Sequence, residues 1–378
     1  MKKWGPVFLV LFLLISCHQT GEQTTVYENA YYFKTDTLKK QEKEVAYTDF
    51  LSDIKLIPLE TNDSILIGEI NKVLGDENSF YILDAFNTGR IFRFDKQGKF
   101  LNFIGKKGNG PGEFNTPLDF IVFNDKVLVL NEGGKIIEFD KNGNYKKTLK
   151  LPELLPVLFT KDESHWFFVI AQPGEKKLWV TDDKFKIKEK FFNYRVRPLE
   201  SLHWSSFFKD KEGHIYYFRK YDKVYAWNGK TFLPYITLDF GSKSFHKLKK
   251  FSANIKKQMA GYAFFSLFYR SGSGFFAGYM DSQKPFLLIY DFRTNNYLHF
   301  PFSRLNNNIT RDNMTTFPVG YDGDFIIFKS EVNQILNAID NTDKSEIPDK
   351  LKKIRPRLHP ENNPVLIAGK ISIDNHEN

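Results

Sequence analysis

A chain of 378 residues has room for two or three ordinary domains, and its single cysteine, Cys17, rules out a disulfide within it. The formal charge is +9, or +7 without Lys2 and Lys3 of the leader, and the lysines form no block of six or more. That spread argues against nucleic-acid binding, which wants a concentrated basic stripe.

Lys2 and Lys3 precede an apolar run, Val7 to Ile15, that is too short to span a bilayer. Leu14-Ile15-Ser16-Cys17 resembles a bacterial lipobox, in which the signal is cut before a cysteine whose thiol is lipidated. The expected organisation is a signal peptide over 1–16, a lipidated and partly ordered tether over 17–48, and one folded domain over 49–378. The lipid holds the protein at a membrane surface. Surface export is associated with an acidic cluster right after the lipidated cysteine, and only Glu22 lies near Cys17, which points to an outer-membrane lipoprotein facing the periplasm; exposure on the cell surface is the alternative.

The first clear strand, 53–60, is apolar at alternate positions, and its Pro58 marks an edge strand. The most informative stretch follows. Ile-Phe-Arg-Phe-Asp-Lys-Gln-Gly-Lys-Phe at 91–100 returns as Ile-Ile-Glu-Phe-Asp-Lys-Asn-Gly-Asn-Tyr at 136–145, a displacement of 45 residues. Asp suits the first position of a tight turn and Gly supplies positive φ, so Asp95–Gly98 and Asp140–Gly143 read as hairpins. Hairpins recurring every 40 to 50 residues are the mark of β-propeller blades, and a propeller of this length is one ring. Thirty-nine Phe and eighteen Tyr suit such a fold, because large rings fill the space between sheets.

Blade one runs from about 70 to 104 and blade two from about 118 to 149. Between them, 105–117 is rich in glycine. No helix carrying Lys-Ser/Thr follows it, so it is not a phosphate-binding loop; it resembles the Gly-x-Gly-Pro-Gly-Glu-Phe…Pro connector of NHL-type propellers. Degenerate copies give blade three at 155–192, blade four at 203–240 with its turn at Asn228-Gly229, and blade five at 262–302. Helical insertions are expected near 244–260, with Ser244 as cap and Gly261 as stop, and near 330–355, where Val332, Ile335, Leu336 and Ile339 fall at helical spacing. A basic segment, Lys350 to Arg357, ends the second. Blade six has strands near 316–321, 324–328 and 364–373 and lacks a fourth. The orphan at 53–60 would supply it, closing the ring and removing two exposed edges.

Several segments together carry a family resemblance. Ser52 to Thr61, the Phe-Asp-x-x-Gly hairpins, the Gly108 to Phe114 connector, Asn363-Pro-Val-Leu366 and the lipobox look like the six-bladed β-propeller lipoproteins of Bacteroides-type bacteria. The resemblance covers about 50–373 and implies an all-β fold of four-stranded antiparallel blades. It carries over no catalytic residue, because that family has no agreed activity.

Propellers bind on the face made by the inter-blade connectors and the loops joining the two middle strands. Those loops contain Arg90, Lys107, Glu132, Arg195, Arg197, Arg219, Tyr221, Arg311 and Asp312. The excess of arginine points to an anionic ligand, since the guanidinium fork binds carboxylate or phosphate bidentately. The alternative is that these arginines pair with nearby acids. His165, His203 and His214 have no metal-site spacing and read as structural or exposed. No Gly-x-Ser-x-Gly elbow occurs. The favoured function is therefore a non-catalytic binding module for an anionic glycan, peptide or envelope partner, with no cofactor. The alternative is a metal-assisted hydrolase or lyase of the lactonase kind, with a Ca or Zn ion at the channel; Asp119 and His203 are its named ligand candidates.

Overall fold

The computed structural model describes residues 30–151, 154–170, 176–193, 206–221, 223–248, 255–312 and 317–374. These residues form an all-β protein of four-stranded antiparallel sheets that follow one another along the chain. Sheet one comprises Lys72–Gly75, Ser79–Asp84, Arg90–Asp95 and Phe100–Phe103. Sheet two comprises Pro117–Phe123, Lys126–Asn131, Lys135–Asp140 and Tyr145–Lys150. Sheet three runs from Pro156–Lys161 to Ile187–Asn193, sheet four from Phe207–Lys209 to Phe232–Asp239, and sheet five from Ala263–Arg270 to Tyr297–Pro301.

Sheet six draws on both ends of the chain. Gly320–Asp322, Phe325–Ser330 and Val365–Ile371 are joined by Leu51–Pro58, which pairs antiparallel with the last of them from Val365 opposite Pro58 to Ile371 opposite Leu51. The expected pairing of the orphan strand is therefore present. Sheets six and one also meet edge to edge, Gly320 lying parallel to Val73 and Tyr321 to Leu74. A Cβ on Gly320 would strike the Val73 carbonyl oxygen, so this approach requires glycine.

Period-two alternation sends successive side chains to opposite faces, and both faces of each sheet are used. In sheet one, Phe80 and Ile82 pack with Ile57, Ile327 and Leu366 of sheet six. Tyr81 and Leu83 pack with Phe120, Val129 and Phe139 of sheet two. Further cores join sheet two to three, three to four, and four to five and six. Rings fill these spaces, as where Phe167 meets Trp227 at 5.2 Å. Burying each such side chain contributes about 1.5–3 kcal/mol.

The repeated hairpin has a repeated mechanism. Asp95 Oδ1 accepts from the amides of Gln97 and Lys99, Asp140 Oδ1 from those of Asn142 and Asn144, and Asp182 Oδ1 from those of Lys184 and Lys186. Gly98 and Gly143 take φ of +85° and +82°. A Cβ on Gly143 would collide with the Phe103 carbonyl oxygen on the last strand of sheet one, and a Cβ on Gly98 with that of Pro58 on the last strand of sheet six. In sheet three the corresponding residue is Phe185, held at φ +60° while its ring packs on Trp166 at 5.4 Å.

Two expectations need correction. Residues 30–48, assigned by sequence to the tether, join the body from Tyr31 onward. Tyr31–Lys34 adds a parallel fifth strand to sheet four, Phe33 is buried, and Val45–Ala46 pairs with Leu305–Asn306. Aromatic residues drive this, Tyr31 sitting 5.1 Å from Tyr290 and 5.3 Å from Tyr235. The single helix expected over 244–260 is instead two 3-10 turns, Gly241–Lys243 and Phe245–Lys247, and a short helix, Ile255–Met259; 249–254 lie outside the described residues. Ser244 and Leu248 adopt extended ψ, and Ser244 bridges to Ala263, so sheet pairing overrides helical spacing there. The second insertion does form helices, Val332–Asp340 and Asp349–Ile354, followed by a 3-10 turn, Arg355–Arg357. Among the described residues no helix is long and apolar enough to cross a membrane.

Candidate functional site

A cleft of about 380 Å³ opens where sheets six and one meet, lined by Lys55, Asp76, Phe80, Lys96, Asp322 and Phe325 with their neighbours. It sits where the first strands of the two sheets end. Gly75 must be bare there, because a Cβ would collide with the Asp322 side chain. Lys96 pairs with Asp322 at 2.6 Å and lies 4.2 Å over the Phe80 ring. Lys55 and Lys370 lie over Phe325, at 4.4 and 5.2 Å from its centroid. Lys370 pairs with Asp53 at 2.9 Å, whereas Lys55 makes no direct ion pair among the described residues, although its charge acts on Asp53 and Asp322. Burial pushes the Asp322 carboxyl above its ordinary range, and Lys96 opposes that shift. Burial acts the same way on Asp76, but the Asn78 amide, Lys141 and the Tyr81 hydroxyl outweigh it and leave Asp76 below the usual range. The cleft thus sets fixed cations beside fixed acceptors. A second space of about 860 Å³ separates the 39–45 segment from the last hairpin of sheet five, around Tyr297.

Of the two metal candidates named from the sequence, Asp119 is among the described residues and is engaged by protein groups. Asp119 is 1 % exposed, and its Oδ1 is 2.7 Å from Lys72 Nζ. The Phe120 amide donates to Oδ1 at 2.8 Å and the Phe159 amide to Oδ2 at 3.0 Å, while Lys72 also donates to the Phe120 carbonyl oxygen at 2.9 Å. Burial pushes the Asp119 carboxyl up against the pull of Lys72. The ammonium occupies the position a metal would need, and the cluster ties together the first strands of sheets one, two and three. His203 lies outside the described residues, as do Arg195, Arg197 and Cys17.

The other predicted binding residues are dispersed. Arg219 is buried, donates to the Asn193 carbonyl oxygen at 2.6 Å and stacks on Phe192 at 5.2 Å. Arg311 pairs with Glu346 at 3.0 Å. Asp312 is buried, accepting from Asn307 at 2.7 Å and from the Ser330 hydroxyl. Tyr221 packs on Phe264 and Phe245 at 5.2 and 5.7 Å. Arg90 is exposed above Phe103 at 4.9 Å, Lys107 is exposed in the glycine-rich connector, and Glu132 is exposed.

Asp210, Glu212 and His214 bring possible ligand atoms within 4.8 Å of one another. Asp210 is already committed: its Oδ1 accepts the His214 amide, and its Oδ2 accepts the Tyr216 hydroxyl at 2.9 Å and lies 3.0 Å from His214 Nδ1 and 3.7 Å from Arg270. Asp162 and His165 make the same side-chain contact across a hairpin one residue shorter in sheet three, the Asp accepting the His amide and facing its Nδ1 at 3.3 Å. An Asp–His contact that recurs at two hairpins serves the turns, and the adjacent guanidinium disfavours a cation. Sequence reading missed the seam cleft because its walls come from five separate segments; the available signals were Lys55 on the orphan strand and Asp322-Gly-Asp324 at a turn.

An all-β chain of successive four-stranded sheets, with a charged cleft where sheets six and one meet, defines the class. The chain belongs to the family described as a domain of unknown function (DUF4934), whose model matches residues 31–370. The crystal structure of a "Putative exported protein" from Bacteroides fragilis is similar, with a TM-score of 0.73 at 18% identity over 90% of this chain and 99% of that one. At that identity the likeness is one of fold. The computationally designed Ika4 and Ika8 proteins match at TM-scores of 0.29 and 0.36, with 15% and 13% identity over 46% and 72% of this chain and 96% and 70% of theirs, too low to carry an argument. No curated protein matches the chain.

Proposed function

We propose that the six sheets are blades of a closed β-propeller, and that the protein is a lipid-anchored, non-catalytic envelope protein that holds an anionic glycan or peptide in the seam cleft. Three features support the ring: the succession of cores that returns from sheet six to sheet one, the last strand supplied from the other end of the chain, and the matching contacts of Gly98 and Gly143 with the preceding sheet. The name of the Bacteroides fragilis protein, an exported one, accords with the lipobox at Cys17. A binding role fits the chemistry, since Asp119, Asp210 and Arg219 are engaged in holding the fold.

Lys55 carries the ligand reading. It is an exposed cation with no direct ion pair among the described residues, fixed over an aromatic ring in a cleft at the lower end of ligand-pocket volumes. The test is calorimetric titration of residues 18–378, which keep every described element, with uronic-acid oligosaccharides, their neutral counterparts and acidic peptides. Binding of an acidic ligand that weakens at least tenfold in Lys55→Ala/Lys370→Ala supports the cleft. Binding that survives this change but falls in Arg90→Ala/Lys107→Ala moves the site to the connector face. Stoichiometric Ca or Zn in the purified protein would favour the metal-assisted alternative.

A further inference from the structure

The basic segment that ends the second insertion plays no part in the cleft. Its helix and 3-10 turn, Asp349–Ile354 and Arg355–Arg357, bury Leu351, Ile354 and Leu358 against Val332, Ile335 and Leu336. Lys350 donates to the Ile54 carbonyl oxygen at 2.6 Å, fixing the segment along the Leu51–Pro58 strand. The same pattern turns the cations outward. Lys352, Lys353 and Arg357 are exposed and Arg355 is half-exposed. Lys352 has one loose pairing, with Asp349 at 3.5 Å. The side chains of Lys353, Arg355 and Arg357 have no hydrogen-bond or ion-pair partner among the described residues. No acid lies between Lys350 and Arg357. Both spaces described above are lined by other residues, so the patch is an outward surface and not the wall of a pocket.

We infer that this segment docks on an anionic lipid headgroup surface and sets the orientation of the anchored body. The occupant follows from charge and reach. A rigid outward patch of unpaired cations complements a planar field of phosphates, and a lipid on Cys17 keeps that field close. The thirteen steps from Cys17 to Ala30 span at most about 45 Å. The inference rests on the lipid-anchor part of the proposed function, and its assay does not need the lipid.

The assay is co-sedimentation of unlipidated residues 18–378 with vesicles of phosphatidylcholine alone or with about one-third phosphatidylglycerol. Binding to the anionic vesicles only is expected, weakening as salt shortens the screening length. Each cation removed from the surface should cost about fivefold, so Lys353→Ser/Arg355→Ser/Arg357→Ser should lose on the order of 100-fold. Lys135→Ser/Lys150→Ser/Lys230→Ser removes equal charge from exposed positions elsewhere and should bind nearly as the parent does. Equal binding to both vesicle types, equal loss in both triple variants, or capture by a soluble acidic polysaccharide without vesicle binding would each overturn the inference. Unfolding curves check that the variants fold. Palmitate labelling of Cys17 in cells tests the anchor separately: failure there removes the anchor and leaves the vesicle result standing.

Discussion

Replacing Asp119 with Asn tests whether the buried pair with Lys72 is structural. At 2.7 Å, the gross attraction at an effective dielectric of about 20 is roughly 6 kcal/mol, most of it offset by the cost of taking both charges out of water. Asp119→Asn leaves the Lys72 ammonium buried without its counter-charge and should lower unfolding stability by about 3–5 kcal/mol. Lys72→Met should cost less, about 2–3 kcal/mol at neutral pH, because the carboxyl that burial already pushes upward can take a proton. The double variant Lys72→Met/Asp119→Asn should lie within about 1–2 kcal/mol of the parent, giving a coupling of at least about 3 kcal/mol. Urea unfolding followed by tryptophan fluorescence measures all four corners. If the single effects simply add, the pair is uncoupled and the reasoning fails.

Gly143→Ala should lose about 2 kcal/mol or more, since φ is +82° and the new methyl meets the Phe103 carbonyl oxygen; an unchanged denaturation midpoint would refute the contact. Asn363→Ala removes a side chain that donates to the Glu60 and Ile65 carbonyl oxygens at 2.8 and 2.7 Å and accepts the Ile67 amide at 2.8 Å. The expected loss is about 2–4 kcal/mol in the same assay, from buried backbone groups left unsatisfied. His299 is fully buried beside Tyr279, and burial, with Lys40 nearby, depresses its pKa from 6.5 to about 4. Between those values the unfolded imidazole takes a proton that the folded ring refuses, so its contribution is fully present above pH 6.5 and is lost as pH falls toward 4. This amounts to about 3 kcal/mol. His299→Gln should flatten the stability profile across that window; an equally steep profile in the variant would assign the acid sensitivity elsewhere.

The parts of the fold that repeat were legible in sequence. Asp95, Gly98, Asp140 and Gly143 recur because each turn needs the same acceptor and the same positive φ, and the strands they join lie where the repeat puts them. Pro58 marked an outermost strand for a local reason, its missing amide hydrogen. The failures were non-local. Nothing adjacent to Tyr31 in sequence announces the rings of Tyr235 and Tyr290 that receive it. The spacing of Phe245 and Leu248 suits a helix, yet Ser244 is drawn to Ala263 by a sheet formed later in the chain. Loop position placed Arg219 and Arg311 on a binding face, and it could not show that Asn193 and Glu346 already hold them. The seam cleft was invisible because Lys55, Lys96 and Asp322 meet only once the two ends of the chain do.

The strand exchange in sheet six also sets a schedule for folding. Leu51–Pro58 is made early in synthesis, but its partner Val365–Ile371 comes almost last. Until the far end is made, the early strand carries unpaired amides and carbonyls, and the core between sheets six and one lacks Ile327, Leu366 and Ala368. Closing so long a loop is slow and comes with little local reward. A chain that stalls or is clipped before residue 365 would therefore expose a sticky edge and invite disposal or aggregation. The completed fold, by contrast, hydrogen-bonds Leu51–Pro58 to Val365–Ile371, so loss of either strand breaks the same ladder.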